Sequence, residues 1–148
     1  MISTQLLRYY PHFSGVSEDQ LVQIANISDK RQFIAGDELF VEGAPATHFC
    51  LIISGEVNIA YRLGDNRTVV ADTLIKGDAF GWSAFVAPHQ MTASCVANNN
   101  GEYIAIESEG LRQICDANPE CGYRVALGLA TLLRDRLSAL RVQIATTR

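Results

Sequence analysis

The sequence predicts a mainly β fold with helices at both ends, most simply a jelly roll followed by one long helix. Three observations carry this expectation. Between residues 31 and 107, short apolar runs are broken by Gly, Asp and Asn about every ten residues, the pattern of a sandwich or barrel. On either side the apolar spacing changes to three and four, the period of amphipathic helices. The chain has 148 residues, of which 48% are hydrophobic and 19% charged, enough to bury a core without disulfide or metal staples.

Residues 1–30 read as an N-terminal helical piece. Gln5-Leu6-Leu7 leads into a turn at Pro11, and Ser17 with Gln20 forms a capping box for a second helix carrying Leu21, Ile24 and Ile27. Residues 31–107 hold the strand-like runs Phe33-Ile34, Glu38 to Val41, Phe49 to Ile53, Val57 to Tyr61, Thr68 to Leu74, Thr92 to Ala97 and Tyr103 to Ile106. Gly36, Gly43, Gly55 and Gly77 fall where those runs reverse, a place for positive φ that explains them without reference to any ligand. Residues 108–148 return to helix. A short helix opens at Ser108, Pro119 ends it, and the same proline suits the first turn of a helix running to about Ala145. Ala126, Leu129, Leu133, Leu137, Leu140 and Ile144 form its stripe, at spacings of 3, 4, 4, 3 and 4. A helix of ~27 residues reaches ~40 Å, beyond the width of a small roll. Two arrangements follow: the helix packs on its own domain, or it forms half of a parallel dimer seam. The seam is favoured, because Leu132 adds to a row already too apolar to leave wet.

Composition excludes several classes. The net charge of −4 argues against a general nucleic-acid binder. Charge is uneven, however: residues 124–148 carry +4 and the remainder −8. No apolar run approaches the roughly 18 residues of a membrane span, and Met1 to Gln5 lacks the basic flank and apolar stretch of a secretion signal. A cytoplasmic chain is expected. Cys50, Cys95, Cys115 and Cys121 form no Cys-x-x-Cys pair and read as free, mostly buried thiols in a reducing compartment.

The central stretch resembles the cyclic nucleotide-binding domain of the Crp/Fnr regulators and of cyclic-nucleotide-gated proteins. The residues that carry the resemblance are Phe33-Ile34-Ala35-Gly36-Asp37-Glu38-Leu39-Phe40-Val41-Glu42-Gly43, Leu51-Ile52-Ile53-Ser54-Gly55-Glu56-Val57, Gly77-Asp78-Ala79-Phe80-Gly81 and Thr92-Ala93. Each is weak alone; together they lie in order over more than sixty residues. The flanks match as well, in Leu7-Arg8-Tyr9-Tyr10-Pro11-His12-Phe13-Ser14-Gly15 and in the long last helix. The resemblance implies a β-roll, or double-stranded β-helix, bracketed by helices and dimerising through the last one.

It also implies where a ligand would sit. In this family a short helix between two strands cradles the cyclic phosphate with its backbone N–H groups. A Glu after the Phe-Gly accepts the ribose hydroxyl, and an Arg before the Thr/Ser-Ala neutralises the phosphate. The implied ligand contacts here are Phe80, Gly81, Trp82, Ser83, Ala84, Met91, Thr92 and Ala93, with Leu140 of the long helix facing the base. Trp82 stands in the Glu position. Met91 stands in the Arg position, unless the loop gap shifts the register and places Gln90 there. Neither candidate is charged. Hydrogen bonds to charged groups contribute about 1.5–3 kcal/mol each. Losing two removes ~3–6 kcal/mol, roughly 10²- to 10⁴-fold in affinity. Weak or absent cyclic AMP and cyclic GMP binding is therefore expected. Phe80, Trp82, Phe85 and Met91 would make the pocket apolar, either as a floor for a different, flat ligand or as a plug.

The rival functions have less support in the sequence. A metal-dependent jelly-roll oxygenase needs two His and a carboxylate close together. His12, His48 and His89 show no such spacing and read as surface or loop residues, and His89 with Cys95 would be the only appealing axial ligands for haem. No enzyme, metal or cofactor is expected. A DNA-binding unit of the Crp/Fnr type needs roughly 60–70 residues after the long helix, so autonomous transcriptional activity is not expected of a chain ending at Arg148. What remains is a stand-alone sensor or interaction module, a homodimer through Leu129, Leu133, Leu137, Leu140 and Ile144. It would signal to an unknown protein partner by moving that helix. A still-functional cyclic nucleotide receptor and a ligand-free dimerisation module stay open as alternatives.

Overall fold

The structure, a computed structural model, describes residues 1–146. Ser3 opens the first helix, α1 (Thr4–Arg8), by accepting the Leu6 N–H on its hydroxyl. A 3-10 turn follows at Pro11–Phe13, and α2 (Glu18–Asn26) starts at the predicted cap, where Ser17 Oγ accepts the Gln20 N–H at 3.4 Å. Arg8 ties this piece together, donating to the Val16 carbonyl at 2.6 Å and pairing with Glu18 at 3.0 Å. The Tyr10 hydroxyl fastens it to the strands by donating to the buried Ile52 carbonyl at 2.8 Å.

Eight strands form two antiparallel four-stranded sheets. β1 (Ser28–Phe33), β8 (Gly101–Glu107), β3 (His48–Ser54) and β6 (Ala79–Phe80) lie side by side in one. The other runs β2 (Glu38–Phe40), β7 (Ser94–Ala97), β4 (Val57–Arg62) and β5 (Thr68–Leu74). The first sheet is covered on both faces, and period-two alternation divides its side chains between two cores. Cys50, Ile52, Tyr103 and Ala105 face the roll interior with Phe33, Ile59, Leu74 and Phe80. Phe49, Leu51, Ile104 and Ile106 face the helices, where Leu7, Phe13, Leu21 and Ile24 meet them. The four turn glycines have φ between +82° and +93°, as their placement at reversals requires.

β7 opens at Ser94 rather than Thr92 and β8 at Gly101 rather than Tyr103, and two further strands differ more from the expectation. β1 begins at Ser28, inside the segment read as the N-terminal helical piece, although Asp29 to Gln32 are all exposed. It is fixed by pairing with β8 from Ser28–Ile106 to Phe33–Gly101 rather than by its own pattern. β6 has only two residues and no local signature.

After β8 come α3 (Ser108–Ala117) and α4 (Pro119–Thr146), the latter 28 residues long. The face that α4 lays on the rest of the chain is Cys121, Val125 and Leu129, with Leu132 and Arg136 half-buried. Arg136 pairs with Asp72 of β5 and, at 3.7 Å, with Asp78. The predicted stripe straddles that face: Leu129 is buried and Leu140 half-buried, whereas Ala126, Leu133, Leu137 and Ile144 are exposed. Ala126, Ala130, Leu133, Leu137, Leu140 and Ile144 keep a four-three spacing beside the packed face.

Candidate functional site

The segment between β6 and β7 forms the implied cradle. β6 delivers Phe80 into the roll, wholly buried and edge-on to Phe40 with ring centroids 6.0 Å apart. The chain then turns at Gly81, where φ is +80° and an added Cβ would lie 2.4 Å from the His48 carbonyl oxygen. Only glycine meets both conditions. Trp82–Ala84 form one turn of 3-10 helix, closed by the Ala84 N–H donating to the Gly81 carbonyl at 3.0 Å and the Phe85 N–H to Trp82 at 3.0 Å. From outside the roll, the Arg112 guanidinium of α3 donates to the Ala84 carbonyl at 2.6 Å, so this cation is engaged by the backbone of the turn.

Downstream, the backbone shows which of Met91 and Gln90 points into the roll. The Gly43 N–H donates to the Met91 carbonyl, and the Met91 N–H to Ala44, each at 2.8 Å. Pro45 and Gln90 bridge beside them. Met91 thereby points inward, 6% exposed, while Gln90 faces solvent.

What this assembly encloses is small. A void of about 10 Å³ is lined by Ile59, Phe80, Gly81, Trp82, Ser83, Met91, Thr92, Ala93 and Cys95, room for about one water. Seven of the nine predicted contacts therefore meet at one place. Ala84 is buried in the neighbouring core, and Leu140 lies on α4 away from the lining. The sequence reading missed Ile59 and Cys95, whose alternation in β4 and β7 marks them only as inward-facing. The four groups expected to form one apolar pocket are divided: Phe80 and Met91 belong to the roll core, whereas Trp82 and Phe85 pack against the helical core, Phe85 edge-on to Phe49 at 5.3 Å.

The void is also electrostatically poor. None of its lining side chains is charged, and burial pushes the Cys95 thiol up to about 12, so an anion is disfavoured at this spot. His12, read as a loop histidine, is instead 8% exposed, and burial lowers its pKa. Among the described residues, no three His, Cys, Asp or Glu side chains are gathered closely enough to hold a metal ion. No helix of these residues is long and apolar enough to cross a membrane.

Residues 30–118 match the family described as the cyclic nucleotide-binding domain. The chain is similar to the CRP-like cAMP-activated global transcriptional regulator of Mycobacterium tuberculosis, 26% identical over 122 residues that cover 82% of this chain and 54% of that protein. It is similar to cGMP-dependent protein kinase isozyme 1 of Drosophila melanogaster, 26% identical over 115 residues covering 76% of this chain and 15% of the kinase. A solved structure from Geobacter metallireducens, of a protein named for cyclic nucleotide binding, superposes with a TM-score of 0.84 at 29% identity, covering 93% of this chain and 99% of that one. A cyclic nucleotide-binding domain from Methylobacillus flagellatus shares the fold, with a TM-score of 0.82 at 18% identity over 98% of this chain and 85% of that one. The chain thus spans about half the length of the mycobacterial regulator and a smaller part of the kinase.

Proposed function

Because the chain belongs to the cyclic nucleotide-binding domain family, we propose that it is a regulatory module whose nucleotide cradle is filled by its own side chains. The observation that carries this is the cradle interior: about 10 Å³, with no charged side chain in its lining. Small-molecule pockets run to roughly 300–1,000 Å³. A cyclic nucleotide would have to displace Met91 and Phe80 from a packed core and then desolvate its phosphate with no guanidinium to meet it. Cyclic AMP and cyclic GMP therefore bind weakly or not at all, although relatives are named as cAMP-activated or cGMP-dependent proteins. Trp82 lines the void yet packs against the helical core, so it serves as a wall of the filled cradle rather than as the floor for a flat ligand.

The output surface is α4. Leu133 and Leu137 are 38% and 49% exposed and follow the four-three spacing that suits a second helix, so the module pairs as a homodimer along this face. Such a module would regulate by presenting or repositioning the paired helices to a protein partner. Titration calorimetry with both cyclic nucleotides tests the filled cradle, and sedimentation analysis tests the dimer.

A further inference from the structure

A second cavity lies outside the roll. It has a volume of about 440 Å³ and separates α4 from the N-terminal 3-10 turn and from the turn between β5 and β6. Its walls include His12 and Ser14 on one side, Asp78 on another, and Arg124, Leu132 and Arg136 along α4. Arg124 and Arg136 stand 12 residues apart on the helix, ~18 Å from one end of the cleft to the other. The helix and the turn touch at Gly128, where a Cβ would be 2.5 Å from the His12 carbonyl oxygen. Contact is thus at backbone distance at this point, and the cleft opens around it.

The polar groups in this cleft are unevenly committed. Arg136 is held by Asp72 and Asp78, and Asp135 pairs with Arg134 at 3.1 Å. Arg124 has no ion pair among the described residues; its guanidinium carbon lies 5.7 Å from the centre of the neighbouring Tyr123 ring. His12 is more than nine-tenths buried, yet its Nδ1 has no hydrogen-bond partner. Arg136 Nε is likewise buried and unpaired. A buried nitrogen without a partner is costly unless something else supplies one.

We propose that this cleft is a ligand site for a small organic anion. Its carboxylate or phosphate is held by Arg124, and its body lies against Leu132. The volume falls within the range of metabolite pockets, and a guanidinium free of intramolecular carboxylates is the group that grips such anions by two parallel hydrogen bonds. An occupant would bridge the N-terminal turn, the strand leading to the cradle and α4, clamping the long helix at a chosen angle. The site does not depend on the state of the roll.

The test is an amide-resolved NMR titration of the full chain with 3-phosphoglycerate, citrate and inorganic phosphate. At least one probe should give saturable shifts at Ser14, Gly15, Gly128 and Thr131, in the millimolar range or tighter, with Thr92 and Ala93 unmoved. Arg124→Gln should weaken that binding about tenfold or more at unchanged melting temperature, and Arg62→Gln should leave it unaltered. Absence of saturation with all three probes would overturn the proposal. So would equal affinity in Arg124→Gln, or shifts spread evenly over the surface arginines.

Discussion

Replacing Met91 with Arg introduces the residue type that the resemblance implies near this position, and the consequence depends on how full the roll is. Met91 is 6% exposed, fixed by its two backbone hydrogen bonds to Gly43 and Ala44, and packed with Phe80, Ala93 and Cys95. The adjoining void of about 10 Å³ has no space for a guanidinium, and no lining carboxylate is there to pair with it. An unpaired buried charge destabilises by roughly 3–5 kcal/mol. At this chain length that corresponds to a fall in melting temperature of roughly 6–20 °C. Met91→Leu, which keeps volume and polarity, should cost less than about 1.5 kcal/mol. Thermal and urea denaturation of the two variants, with and without cyclic AMP, would measure both. If Met91→Arg melts within about 2 °C of the parent, the side chain has found water or space that a filled roll lacks, and the reasoning from packing fails.

Further outcomes follow from other contacts. Arg136→Gln leaves the Asp72 and Asp78 carboxylates, 20% and 25% exposed, without their cation, and should cost about 1–3 kcal/mol in urea unfolding. Acidification should destabilise the fold. Burial lowers the His12 pKa, with Asp78 partly opposing, so the unfolded chain binds the proton more tightly. Stability is then complete above about pH 6.5 and falls as the pH drops towards the lowered folded value. A His12→Gln variant should show a shallower loss between pH 7 and 5 in the same denaturation series. Leu133→Glu with Leu137→Glu places like charges on the exposed face of α4 and should abolish the proposed dimer in analytical ultracentrifugation, whereas a parent already monomeric would refute the seam.

Much of the fold was legible because apolar, β-branched runs such as Phe49 to Ile53 and Val57 to Tyr61 coincide with the strands that pack the roll. Thr68 to Leu74 was placed residue for residue. β1 was not legible before Phe33, since its polar residues are held in a strand by pairing with β8, about seventy residues away in the chain. The length of α4 could be read from Pro119 and the uninterrupted periodicity, but its packed face could not. That face depends on Gly128 meeting His12 and on Arg136 finding Asp72, and neither contact leaves a local trace. In the site, Phe80, Gly81 and Thr92-Ala93 were recognisable from the motif. The inward turn of Met91 rather than Gln90 required the pairing with Gly43 and Ala44 across a loop. That Trp82 packs against a different core from Met91, although both line the void, was hidden for a related reason: both are large and apolar, and composition alone does not say which of two cores each joins.

Titration calorimetry of the unmodified protein with cyclic AMP and cyclic GMP addresses the filled cradle most directly. A roll packed by Phe80 and Met91 should give no saturable heat, or an affinity no tighter than about millimolar. A micromolar dissociation constant for either nucleotide would contradict it, because the site would then have opened and neutralised a phosphate with groups that its lining does not contain.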